Sequence, residues 1–272
     1  MPEQSKNSVT NVSLNAAAVV DPALSALKTA GGAIMVSLEA VDNADLTAAL
    51  TVEGPGMAFT FENAVANHDE RKARYRSWLL AKGFQDLARG LRETLEAAYL
   101  WVGYVRLHGQ PLPQGGFPAL TADLVQTANG KNFPTLLAAV NEGLTEPLHW
   151  EDAFKSIQKV RNCLEHRAGM VNQKDAGTDQ ASLRLSIPRL QLFVQDGDQD
   201  TELVPNMVIE RGGSLFLRHS IRELEYPVGT RISFSSDDFG EIAMACWMMA
   251  TVLKSKLPRP PAPANVAQAE GN

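Results

Sequence analysis

Cysteine is nearly absent: 272 residues hold two, Cys163 and Cys246. Two thiols without metal-site spacing exclude a disulfide scaffold or a cysteine-rich zinc module, and read as reduced thiols in a cytoplasmic protein. Positive charge is also scarce. Lys and Arg number 25 against 31 Asp and Glu, a formal net charge of −6. That excludes a generic nucleic-acid coat, so any RNA contact must use a local basic patch. Long apolar runs are missing, and the longest, Ile242 to Leu253, is too short to span a bilayer. The first residues lack the charged-then-apolar pattern of a signal peptide, so no membrane association is expected. His68, His108, His149 and His219 have no ligand spacing, so no metal is expected either. Ser214 and Ser220 lack a hydrolase frame, and Gly212-Gly213 precedes no helix that could hold a phosphate. No cofactor is expected.

What is present is an ordinary globular composition, 44% hydrophobic and 21% charged. Residues 1–20, rich in Ser, Asn and Gln, are expected to be disordered. Residues 22–50 carry short apolar pieces that fit helix or strand equally, and Gly54-Pro55-Gly56 marks a break. A helix over about 62–80 runs through Gly83 into the strongest periodic signal. There Phe84, Leu87, Leu91, Leu95, Ala98, Val102 and Val105 recur at three and four residues. Arg71, Lys72, Arg74 and Arg76 on the first part read as a solvated face, the alternative being an RNA-facing patch. A Gly- and Pro-rich loop over 109–118 precedes short helices over about 121–127 and 133–141.

Beyond Gly169 the texture changes. Leu183, Leu185 and Ile187, then Leu190 and Leu192, alternate with polar residues. Residues 207–209, 215–217 and 231–234 are further strand candidates, with turn signals at Asp196-Gly197 and Gly212-Gly213. A small antiparallel sheet of three or four strands is predicted. Ser235 and Asp238 form a capping-box pattern for a closing helix over about 237–256. The fold class is thus α+β, mainly α: an antiparallel helical bundle over about 62–171, a β-rich extension and closing helix over about 181–257, all in one domain over 21–257. A disordered Pro- and Ala-rich tail is expected over 258–272.

The chemistry concentrates in Arg161-Asn162-Cys163-Leu164-Glu165-His166, at the end of a helix predicted over 151–168 and capped by Gly169. At about 100° per residue, Ile157, Val160, Leu164 and Ala168 share a core sector, while Lys155, Lys159, Asn162 and His166 share a polar stripe. Arg161 falls in the apolar sector, about 140° from His166 on an ideal helix, and needs a partner. Asp86, Glu93 and Glu96 are the candidates. The two side chains converge if the helix loosens, if the arginine curls round, or if a second copy completes the site. The last is favoured.

Arg161-Asn162 with His166 resembles the motif of the HEPN superfamily, compact antiparallel helical bundles with an Arg, a polar residue and a His at the end of a helix. The resemblance spans about 62–171, and by motif only its last third. It implies a metal-independent endoribonuclease acting as a homodimer, in which two motifs face each other, as in toxin and phage-defence proteins. It implies Arg161, Asn162 and His166 as catalytic residues. Arg161 suits a phosphate clamp, since its planar fork matches phosphate oxygens. His166 suits an acid or base, since imidazole titrates near neutrality. Lys155, Lys159 and Arg167 are candidate RNA-binding cations. Other members of the superfamily are non-catalytic. The second expectation is therefore a module that binds a protein partner or nucleotide, with a sheet edge near 183–194 open to a partner strand.

Overall fold

The apolar stripe of Phe84, Leu87, Leu91, Leu95 and Ala98 is at most 1% exposed at every position and forms the spine of the molecule. It belongs to one helix, α3 (Asp69–Arg106), of 38 residues. The structure is a computed structural model that describes residues 15–177, 180–196, 199–204, 207, 208 and 213–260. Expectations for residues 1–14 and 261–272, and for Gly197, Ile209 and Gly212, lie outside the described residues.

Residues 15–20 are folded, contrary to the expectation of a disordered segment over 1–20. Asn15 caps a 3-10 turn, Ala16–Val19, and Val19 and Val20 are buried. Residues 22–50, ambiguous in sequence, are mostly helical. α1 (Asp21–Ala26), a π-helical turn (Leu27–Gly31) and α2 (Gly32–Asn43) form a continuous rod. Its most apolar window has a mean hydropathy of 1.3, so Asp21–Asn43 is long and apolar enough to cross a membrane. That corrects the view that no segment has the length. Gly31 and Gly32 interrupt the apolar pattern and hide the run. Ala23, Ala30, Ile34 and Leu38 are buried, whereas Met35 and Val36 are exposed. The rod meets α3 closely at Gly90, where a Cβ would lie 2.6 Å from that of Ala26.

A hairpin follows, β1 (Leu50–Gly54) and β2 (Met57–Glu62), turning at Pro55-Gly56. The helix expected from residue 62 therefore starts at Asp69, where Asn67 accepts a bond from the Asp69 amide. The basic run at its start is a solvated face only in part: Arg74 is exposed, though it pairs with Glu62, and the other three cations are tied to backbone or carboxylate groups. Arg71 is buried and donates to the carbonyls of Leu46, Ala48 and Asn63. Arg76 pairs with Asp42, and Lys72 donates to the Asp42 carbonyl.

Two helices, α4 (Gly116–Gly130) and α5 (Phe133–Asn141), pack on the other flank of α3. α4 is longer than expected because Pro118 is tolerated in a first turn. α6 (Glu151–Arg167), the short α7 (Gln173–Ala176) and a three-stranded antiparallel sheet follow. The sheet order is β4 (Gln199–Glu202), β3 (Ser182–Asp196), β5 (Ser214–Pro227). β3 continues through Pro188 as one strand, paired with β5 throughout. Residues 231–234, a strand candidate, make only the isolated bridge of Arg231 with Met170, and Met207 and Val208 are not in a strand. Ile232 and Phe234 are instead core anchors, Phe234 stacking on Phe84 at 4.9 Å. α8 (Ser236–Ser255) closes the core with the predicted capping box of Ser235 and Asp238. The mainly helical α+β architecture expected from the sequence is the one observed. The chain at Pro258 is docked rather than free, its carbonyl accepting from the Trp101 indole at 2.8 Å.

Candidate functional site

α6 forms because Ala153, Phe154, Ile157, Val160, Cys163 and Leu164 recur on one side and are buried. Acidic Glu151 and Asp152 sit in its first turn, and His166 and Arg167 in its last, both favourable to the helix dipole. Ser156 is buried and accepts the Ser186 amide of β3 at 2.9 Å. That bond fixes α6 along the edge of β3. The edge expected to receive a partner strand near 183–194 is thus covered at Ser186 by α6, and β4 takes it from Phe193 to Asp196.

The C-terminal end of α6 is clamped. Ala168 is left-handed (φ 50°) and so is Gly169 (φ 78°), which closes the helix on the Cys163 carbonyl. The Arg231 guanidinium donates to the Ala168 carbonyl at 2.8 Å, and the Ile232 amide donates to Gly169. The helix does not loosen before its cap, which removes one of the three routes to convergence.

Arg161 takes a second route and curls along the surface. It pairs with Glu165 one turn on, and its Nη1 also donates to Asn162 Oδ1 at 3.3 Å. The expected partners are engaged elsewhere: Asp86 and Glu93 face Arg89, and Glu96 binds Arg92. The Glu165 oxygen that meets Arg161 also lies 3.9 Å from His166 Nε2. One carboxylate thus stands between the arginine and the histidine within a single chain. Asn162 Oδ1 accepts from Gln158 at 2.9 Å as well, so this amide is oriented along the helix and not toward His166. Side-chain exposure is 27% for Arg161, 42% for Glu165 and 62% for His166. The group is a shallow exposed patch.

The accompanying cations differ in availability. The Lys155 ammonium donates to Glu151, which holds its pKa above the ordinary value. Lys159 is exposed and has no ion-pair partner among the described residues. Arg167, a candidate RNA contact, is instead committed to buried Asp175 through two bonds, and Asp175 holds its pKa up. That pair ties α6 to α7 and covers Cys163, whose pKa is raised by burial and then by Asp175. Glu165 and Asp175 are the residues that the motif reading missed. Glu165 stands inside the motif, four residues after Arg161, the helical spacing for an ion pair. Asp175 had a signal in the Asn172-to-Asp175 capping spacing.

Two of the four tryptophans are exposed, Trp78 and Trp247, while Trp101 is buried and Trp150 packs its ring on His219 at 5.4 Å. The patch can present a guanidinium, an amide, an ammonium and an imidazole to an anion, with a carboxylate in competition. No protein-family model, no curated protein and no solved structure matches this chain.

Proposed function

We propose that this chain is an endoribonuclease of HEPN type, working as a homodimer and cutting RNA by attack of its own 2′-hydroxyl. The observation that carries the reading is the accessible set of Arg161 and His166 around one Glu165 oxygen at a rigidly capped helix end. In this reading Arg161 holds the scissile phosphate and stabilises charge as the 2′-oxygen attacks phosphorus. His166 acts as acid or base at the attacking or the leaving oxygen. Asn162 contacts the phosphate, and Lys159 draws the backbone in. A second copy supplies the partner that one imidazole lacks, since one proton must leave the 2′-hydroxyl while another reaches the 5′-oxygen. The products are a 2′,3′-cyclic phosphate and a 5′-hydroxyl.

Glu165 decides whether a phosphate can enter. A solvent-exposed ion pair is worth roughly 0.2–1 kcal/mol, whereas a bidentate charge-assisted contact to phosphate is about twice as strong as a neutral hydrogen bond. The carboxylate is therefore displaceable, and it sets a modest barrier. Purified protein is incubated with single-stranded RNA in chelator. Wild type cuts, Arg161→Ala and His166→Ala do not, and Glu165→Gln binds RNA up to about fivefold more tightly, the factor that 1 kcal/mol makes. No cutting by wild type, or unchanged cutting by both alanine variants, overturns the proposal.

A second reading is a non-catalytic module that binds a protein partner or a nucleotide. The neutralised Arg161–Glu165 pair and the net charge of −6 favour it. It predicts that Glu165→Gln creates no RNA affinity and that a stable protein partner co-purifies.

A further inference from the structure

The β1–β2 hairpin is an arm without a core. Its strands pack on each other, and none of its side chains joins the apolar core. Among the described residues it is held at its base, where Arg71 binds the Leu46, Ala48 and Asn63 carbonyls and pairs with Glu62 at 2.8 Å. Strand alternation places Met57, Phe59 and Phe61 on one face of β2, and the register sets Val52 opposite Phe59 on that face. The four are 77%, 62%, 64% and 59% exposed. An isolated two-stranded hairpin is marginal in water, and an apolar face this open needs a cover.

Beside the arm's base lies a recess between α2 and α3. It is lined by Ala40, Val41, Arg74, Tyr75, Trp78 and Leu79, and its volume is about 630 Å³. Its walls are nearly all carbon, with Trp78 60% exposed. The same Arg74 and Tyr75 bond to Glu62 at the end of β2, so arm and recess are neighbours on one surface.

We propose that a second copy of this chain covers this surface, each hairpin arm lying in the α2–α3 recess of the other across a two-fold axis. One patch that carries both a projecting apolar strip and an apolar recess is self-complementary, as an isologous interface requires. At about 150–250 Å² for each large side chain, the arm's four apolar residues expose on the order of 500 Å². Covering two arms and two recesses removes on the order of 1,200 Å², the lower end of the 1,200–2,000 Å² buried by stable complexes. The chain carries −6, which opposes docking on an anionic lipid surface. The inference goes beyond the nuclease reading, which needs a dimer but not this interface: a dimer that survives the double variant, or gives no mixed crosslink, overturns the inference and leaves the nuclease reading to the RNA assay.

The mass of the full chain in solution is measured by light scattering. Wild type is expected as a dimer, and the double variant Phe59→Asp, Phe61→Asp at half that mass, with unchanged circular dichroism because neither ring touches the core. In a second measurement, chains carrying only Phe61→Cys are mixed with chains carrying only Ala40→Cys and oxidised. A mixed disulfide dimer is expected, at a yield well above that of either chain alone, the native thiols being buried. A monomeric wild type, a dimer that survives the double variant, or no mixed crosslink overturns the proposal. So does a monomer that floats with phosphatidylcholine vesicles through the same two rings, which would assign the patch to lipid.

Discussion

Arg71→Met tests how the arm is held. Arg71 is 3% exposed, donates to Leu46 O at 2.6 Å, Ala48 O at 2.8 Å and Asn63 O, and pairs with Glu62. Methionine keeps most of the stem and removes every donor. The Glu62 carboxylate retains Arg74 and the Tyr75 hydroxyl, so the orphaned groups are chiefly the three carbonyls. Breaking a buried pair from one side costs about 3–5 kcal/mol, and the partners left to Glu62 put this case near about 3. At roughly 2 °C per kcal/mol for a chain of this size, the midpoint of thermal unfolding falls by about 6 °C. Local opening should exceed global loss, since the crossing loops are what the guanidinium joins. Circular dichroism reads the midpoint, and hydrogen exchange reads residues 46–63. An unchanged midpoint, or exchange that rises evenly over the chain, refutes the reasoning.

Gly90→Ala places a Cβ 2.6 Å from the Ala26 Cβ and 3.0 Å from the Pro22 carbonyl. Overpacking of about 1–3 kcal/mol outweighs a helix-propensity gain of about 1 kcal/mol, so denaturant unfolding should show a net loss and not a gain. Burial raises the Asp238 carboxyl, but bonds from Ser235 and Arg222 outweigh it and hold it below its ordinary value. A carboxyl depressed in the fold stabilises fully above its unfolded value of about 3.9 and loses that contribution as pH falls through the lower folded one. The stability gap between wild type and Asp238→Asn should therefore be constant near neutrality and close below about pH 4; a gap that persists in stronger acid contradicts the assignment. Burial pushes the Cys246 thiol up to about 12, and burial with Asp175 raises Cys163. Neither should react with a thiol reagent until denaturant is added, and fast labelling of the folded chain would contradict their burial.

Where burial imposes a period, the sequence is readable. The stripe from Phe84 to Val102, the helix from Phe133 to Asn141, the face of α6 and the capping of α8 all follow from spacing and end residues. The α1–α2 rod was obscured by Gly31-Gly32, residues that a helix tolerates when other contacts hold it. The hairpin had a period-two signal in Met57, Phe59 and Phe61 with Pro55-Gly56 as its turn. Thr51, Glu53, Thr60 and Glu62 mark its opposite, polar face, but the pattern is short and its apolar face packs on no core that would demand it. Residues 231–234 alternate like a strand, yet Ile232 and Phe234 are anchors of a crossing loop. At the site, helix angles put Arg161 in an apolar sector. They could not show a flexible side chain curling to Glu165, nor which cations find partners far along the chain. Arg167 with Asp175 and Arg71 with three carbonyls are such cases: their partners are set by tertiary packing and not by local pattern.

We propose that Arg161 and His166 act on RNA through its 2′-hydroxyl. This is tested most directly with two matched oligonucleotides in chelator, one all-ribo and one lacking the 2′-hydroxyl at the cleaved position. Wild type is expected to cut the first to a 2′,3′-cyclic phosphate and leave the second intact, and His166→Ala to cut neither. Equal cutting of both by wild type, cutting by His166→Ala at the wild-type rate, or an uncut all-ribo strand would contradict it.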